Sequence, residues 1–272
     1  MTLDLKLSVN RQISSSSIAE IWSDSLTIFW GEWLDLRVRV KQIIASGMVS
    51  PIIYILAFGF GLGNSLAKPA VGDNYLEFIL PGMVALSSMT ICFAGTTFSI
   101  CGDRLFSKTF EELLLLPIHP LALYLGKVMA GVARGLLTSS SVIAIAILFT
   151  GKFFSFLNPL FLSLLILNCA VFAGLGVLAG LSVQSIESVG LYNNFLIVPM
   201  SFLGGTFFDP ATLPPVFKVV VYLLPLTYTS LGLRAAAYQP LSEFPWYTLP
   251  ILLGMALLLS VVGAYQFSHQ QD

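Results

Sequence analysis

The chain has 272 residues, 56% hydrophobic and 10% charged, with a formal net charge of −1 and a mean hydropathy of +0.87. A soluble domain carries about 25% charged and about 45–50% apolar residues, so this composition excludes an ordinary water-soluble fold, whose surface it could not cover. The charge balance gives no footing for a nucleic-acid partner, and lipid is the surroundings that match; an all-α polytopic membrane protein is expected.

At the N-terminus, residues 1–44 read as a cytoplasmic segment. Asp4, Lys6, Arg11, Glu20, Asp24, Glu32 and Asp35 interrupt any apolar core, so no cleaved signal peptide is expected. Within it, Trp22, Leu26, Phe29, Trp30, Trp33, Leu36 and Val40 recur at spacings of three and four with charges between. That pattern predicts an amphipathic helix over 18–44, lying in the membrane interface with Arg37, Arg39 and Lys41 towards the headgroups. An ordinary packing helix is the alternative.

A helix needs about 20 apolar residues to cross the hydrocarbon. Six runs qualify: 45–64, 78–101, 121–150, 157–183, 189–208 and 246–267. A seventh apolar stretch, 216–238, has Pro225 in its middle and Lys218 and Arg234 inside its ends. Proline removes a backbone donor and clashes with the preceding turn, so a re-entrant pair of short helices is expected there. Residues 45–267 then form one transmembrane domain, and 268–272 a cytoplasmic tail.

Orientation follows from the cations. Lys6, Arg11, Arg37, Arg39, Lys41, Arg104 and Lys108 fall on one side, against Lys68, Lys152, Lys218 and Arg234 on the other. The positive-inside bias places both termini in the cytoplasm.

Polar residues inside the spans need an escape or a role. Lys127 is expected to snorkel to the headgroups, and Arg134 to make a structural pair, with Glu187 as the candidate partner; contact with substrate is the alternative. Asn168, Asn193 and Asn194 read as inter-helix hydrogen-bonding groups, and Gly174, Gly176, Gly180, Gly204 and Gly205 as sites of close helix approach. Cys92, Cys101 and Cys169 lack metal-ligand spacing and read as small apolar packing residues.

The loop GDRLFSKTFEELLLLPIHP, residues 102–120, is the most informative polar stretch. A short helix over 108–116, ended by Pro117, would turn Glu111 and Glu112 to solvent and Phe110, Leu113 and Leu114 inward. A proline-bounded charged helix suits docking of another protein; a plain connector is the alternative.

The run DRLFSKTFEELLLLPIHPLALYLGKVMAGVARGLL resembles the cytoplasmic stretch of the ABC-2 type permeases, which include daunorubicin-resistance and nodulation-factor export subunits. Asp103–Arg104, Glu111–Glu112–Leu113–Leu114, Pro117 and Gly126–Lys127 fill the family's pattern, although Ser107–Lys108 stand where it has a turn glycine. NNFLIVPMSFLGGTFFDPATLPPVFKVVVYLLPLTYTSLGLRAAAY resembles the C-terminal signature of the same family through Asn194, Pro199, Gly204, Gly205, Phe207, Phe208, Pro210, Leu213, Pro214, Pro225, Leu226, Thr227, Tyr228 and Arg234.

The resemblance implies a permease that pairs with an identical or similar chain over two separate nucleotide-binding ATPase subunits. Residues 103–117 would be the coupling helix and the N-terminal amphipathic helix the interface helix. Residues 213–238 would be the re-entrant pair on the far side, and the first and fifth spans would line the path. ATP and magnesium would sit on the partner, with no cofactor held by this chain. The sequence agrees, since Gly126–Lys127 and Gly151–Lys152 are followed by Val and Phe rather than by the Ser or Thr of a phosphate-binding loop.

His119 and His269 stand outside any hydrolytic motif, which weighs against an intramembrane enzyme. A secondary transporter or channel without an ATPase is the other reading. Spans rich in Phe, Leu and Gly favour a hydrophobic or amphipathic cargo such as a drug, a lipid or a lipid-linked glycan. A bacterial plasma membrane is the expected location, with a plastid membrane as the alternative.

Overall fold

A computed structural model describes residues 17–54, 56, 57, 75–107 and 109–271. Residues 1–16, the distal end of the first expected span with Lys68, Lys108 and Asp272 lie outside the described residues. Four helices are long and apolar enough to cross a membrane: Glu77–Ser107, Pro120–Thr150, Pro159–Ser182 and Thr248–Gln270. They coincide with the second, third, fourth and last expected spans. The molecule is an all-helical, multi-pass integral membrane protein.

The first helix, α1 (Ile18–Tyr54), is continuous for 37 residues. The sequence reading divided it at 44/45, where the composition changes. No Gly or Pro stands there to stop the helix, and the first proline within it is Pro51. Ser25 and Leu36 are buried, while Trp22, Leu26, Trp30 and Leu34, spaced by four, remain exposed as an apolar stripe.

Next come α2 (Tyr75–Gly102), which widens into a π-helical turn at Asp103–Ser107, the short α3 (Thr109–Leu115), and α4 (Pro120–Thr150). His119 caps α4, its ring nitrogen accepting from the Leu121 amide, with Pro120 in the first turn where its missing N–H costs nothing. Gly151, at φ 68°, closes the helix in the left-handed conformation that favours glycine.

After a single helical turn, α5 (Phe153–Phe156), Asn158 caps α6 (Pro159–Ser182). Helix α6 packs against α2 on one side and α4 and the last helix on others. Its glycines allow this. A Cβ built at Gly176 would lie 2.7 Å from the Phe93 carbonyl oxygen, and one at Gly180 2.9 Å from Ile100 Cβ. On α4, Gly135 faces the Cys92 and Cys169 sulfurs, so those buried thiols act as packing groups.

Residues 186–203 are helical but irregular: α7 (Ile186–Tyr192), a π-helical stretch Asn193–Ile197, and α8 (Val198–Leu203). This is the fifth expected span, and it is not among the four long apolar helices. Beyond it, α9 (Pro215–Tyr222) and α10 (Pro225–Tyr238) meet at 89°, the break falling at Pro225 as expected from sequence. The bend frees carbonyls that side chains recover. Thr227 Oγ1 donates to the Val221 carbonyl at 2.6 Å, and Tyr228 Oη to that of Tyr222 at 2.6 Å. The chain ends in α11 (Thr248–Gln271).

Candidate docking element and its ionic base

Lys127 stands near the start of α4 with only 5% of its side chain exposed. It pairs with Glu32 of α1 and with Asp103 of the π-helical turn after α2. Arg134, two turns along α4, pairs with Glu32 at 3.0 Å and donates to the Gly95 carbonyl of α2. Ser99 adds a hydroxyl bond to Glu32 at 2.9 Å. Two carboxylates and two cations thus neutralise one another where three helices meet, as low-polarity surroundings require.

Burial alone would raise the Glu32 pKa, but Lys127, Arg134 and Ser99 together outweigh it and hold the carboxyl below its ordinary range.

Two sequence expectations are corrected here. Lys127 does not snorkel to the headgroups; it is enclosed between Glu32 and Asp103. Arg134 does not pair with Glu187, which is exposed on α7; its partner is Glu32. Sequence reasoning took Glu32 only as one charge among several. The available signal was its spacing, since Ser25, Glu32 and Leu36 share the face of α1 that turns inward.

Arg104, beside Asp103, reaches the end of α6. Its Nη1 donates to the carbonyls of Gly180 at 3.0 Å, Leu181 at 2.6 Å and Val183 at 3.1 Å. The last carbonyls of a helix have no partner within it and carry partial negative charge, so a guanidinium fits them. Gln270 of α11 donates to the same Leu181 carbonyl.

On this base sits α3. Phe110 is buried, its ring centroid 6.0 Å from that of Phe267 and 5.7 Å from the Arg104 guanidinium carbon. Leu113 and Leu114 are half-buried against the core. Glu111, Glu112 and Pro117 are exposed, and so are Phe106 at 70% and Leu115 at 85%. The element therefore offers an apolar and acidic outer face on a fixed root.

The other predicted residues gather around the α9–α10 bend. Gly205 has φ 74°, and Arg234 of α10 donates to its carbonyl at 3.0 Å and to that of Phe78 at 3.2 Å, the guanidinium lying over the Phe78 ring. Ser230 donates to the Gly204 carbonyl at 2.7 Å. A Cβ at Gly204 would meet Leu226 at 2.5 Å. Phe207 lies against Tyr54 of α1, centroids 5.5 Å apart, and Phe208 is half-buried. Asn194 is exposed on the π-helical stretch and stands apart from this group.

Deeper in the core, Asn168 makes the inter-helix bonds expected of it. It donates to the Ala85 carbonyl at 3.2 Å and the Ser88 hydroxyl at 2.8 Å, and accepts from Thr229 at 2.8 Å. Asn193 differs: its Oδ1 is buried without a partner among the described residues.

Comparison with known proteins agrees with this architecture. The sequence profile of the family described as "ABC-2 type transporter" matches residues 24–238. The inner membrane transport permease YadH of Escherichia coli K12 is 28% identical over 219 residues, covering 80% of this chain and 81% of its own. Nodulation protein J of Rhizobium leguminosarum bv. trifolii is 28% identical over 184 residues, covering 67% and 69%. Nodulation protein J of Rhizobium meliloti is 27% identical over 194 residues, covering 71% and 72%. With the profile running from α1 through the bent pair to Tyr238, this chain belongs to the ABC-2 type transporter family.

Proposed function

We propose that this chain is the membrane permease subunit of an ATP-driven exporter, energised by a separate nucleotide-binding subunit that docks on residues 103–117. The observation that carries the reading is the contrast within that segment. Its root is fixed by Lys127–Asp103 and by Arg104 on the end of α6, while Glu111, Glu112 and Leu115 face outward. A partner that pushes on such an element moves α4 and α6 rather than a slack loop.

In this reading the chain crosses the membrane six times with both termini in the cytoplasm. The wide apolar stripe of α1 lies in the interface, and α9 and α10 form a re-entrant pair on the far side. Two permeases, identical or similar, stand over two ATPase subunits that hold ATP and magnesium. The path runs past Asn194, Gly204, Gly205, Phe207, Phe208, Pro225, Tyr228 and Arg234. A hydrophobic or amphipathic cargo leaves a bacterial plasma membrane, or a plastid membrane in the alternative host.

A secondary transporter or channel is disfavoured because Glu32 and Asp103 are both neutralised by Lys127 and Arg134 of the same chain, which leaves neither carboxylate open to a coupling proton or sodium ion. The test is co-purification of the permease with its ATPase from the native membrane. The double variant Glu111→Lys, Glu112→Lys should lose the ATPase while remaining folded. Recovery of a full complement of ATPase by that variant would overturn the docking role.

A further inference from the structure

A cavity of about 470 Å³ opens between α1 and α2, within the size range of small-ligand sites. The two helices run antiparallel, so the cavity has a charged end beside Glu32, Asp35 and Asp103 and an apolar end at Ile43 and Ile91. Its walls are therefore amphipathic along one axis.

The charges divide into two sets. Glu32, Asp103 and Arg134 are spent in the ionic base with Lys127. Asp35 and Arg39 also line the cavity, but neither side chain has an ion-pair or hydrogen-bond partner among the described residues. They stand one helical turn apart on one face of α1, about 6 Å along its axis. Their order is specific. Arg39 is nearer the apolar end and Asp35 nearer the charged one.

We propose that this cavity binds an amphiphile with a zwitterionic headgroup, its anionic phosphate on Arg39, its terminal ammonium on Asp35 and its chain along Ile43 and Ile91. The order of the two free charges matches such a molecule, in which the phosphate lies next to the apolar tail and the amine lies outermost. A purely anionic amphiphile would leave Asp35 facing its headgroup, and a purely cationic one would meet Arg39 first. Asp103 and Ser107 line the cavity and also belong to the turn that carries α3, so the occupant touches the root of the docking element. As a statement about cargo, this rests on the export reading above; as a binding site it stands without it.

The test is retention of lipid by the purified full-length protein, read by native mass spectrometry from micelles doped with phosphatidylethanolamine, phosphatidylglycerol or a dioleoyl trimethylammonium lipid. Phosphatidylethanolamine should be retained about tenfold more strongly than either. R39Q and D35N should each abolish the preference, and the swap D35R/R39D, which keeps the net charge and inverts the order, should abolish it too. R37Q, exposed on α1 outside the cavity, should leave it intact.

All three positions are exposed, and unchanged thermal unfolding of each variant verifies the fold. Equal retention of the three lipids, or an unaltered preference in the swap, would overturn the site while leaving the permease reading standing. ATP-driven transfer of labelled phosphatidylethanolamine between leaflets, with the ATPase present, would identify the occupant as cargo. Retention without transfer would make it a resident lipid and remove such lipids from the exported class.

Discussion

Lys127 on α4 holds Glu32 of α1, 95 residues earlier in the chain, and the same ammonium holds Asp103 at the start of the proposed docking segment. One buried cation thus joins the amphipathic first helix to the root of α3. Removing it takes from Asp103 its ion-pair partner and leaves Glu32 with Arg134 alone. Lys127→Met should destabilise the protein by about 3–5 kcal/mol, measured by denaturant unfolding in detergent. Lys127→Met combined with Asp103→Asn should recover a large part of that loss, because the stranded charge goes with its partner while Glu32 keeps Arg134.

The same cluster sets an acid limit. Glu32 has a folded pKa below its ordinary value of 4.5. Its contribution is therefore complete above 4.5 and is lost as pH falls from there through the lower folded value. Thermal stability of Glu32→Gln should be lower than that of the parent at neutral pH and should change less on acidification below 4.5. Parallel melting curves for the two proteins across that range would contradict the assignment.

Close approach of α6 to α2 depends on a missing side chain. Gly176→Ala would put a methyl 2.7 Å from the Phe93 carbonyl oxygen, and backbone there cannot step aside without moving the helix. A loss of about 1–3 kcal/mol is expected. Gly254→Ala in α11 is the control: a Cβ there meets nothing within 4 Å, and replacing glycine in a helix should be neutral or stabilising by up to about 1 kcal/mol. Melting temperatures of the two variants should move in opposite directions or differ clearly.

Asn168 ties α6 to α2 and α10 at once. Asn168→Leu should cost about 1–2 kcal/mol, the scale of inter-helix hydrogen bonds in membranes. A double-mutant cycle with Thr229→Val should show coupling, since the two side chains share one bond. Additive effects would mean the Thr229 hydroxyl relies on the Pro225 carbonyl, its second acceptor at 3.3 Å.

Features set by local chemistry were legible before the structure. The four long spans announced themselves as apolar runs, three of them uncharged, Pro225 announced the break between α9 and α10, and Gly176 and Gly180 announced close packing. The capped start of α4 follows from the same kind of signal at His119–Pro120. Pairings between distant segments were not legible. Glu32 is one of four carboxylates in the 18–44 stretch and Glu187 stands alone between two spans, and only the packing of α1 on α4 decides which one meets Arg134. The irregular turns at Asp103–Ser107 and Asn193–Ile197 also left no mark, because a π-helical turn uses the same residues as an ordinary one. Composition changes at 44/45 marked a change of surroundings, which differs from a change of backbone.

That last difference has a mechanical side. A helix unbroken from Ile18 to Tyr54 is a stiff rod about 55 Å long, with Glu32 gripped near its middle by Lys127 and Arg134. The rod is also packed on α4 well to either side of that grip, at Ser25 and Ile28 beside Gly126 and at Gly47 beside Thr138, so the two helices move as one body. A shift of α4 is thereby carried along the full length of α1 to Tyr54, and to the Phe207 ring that rests against it.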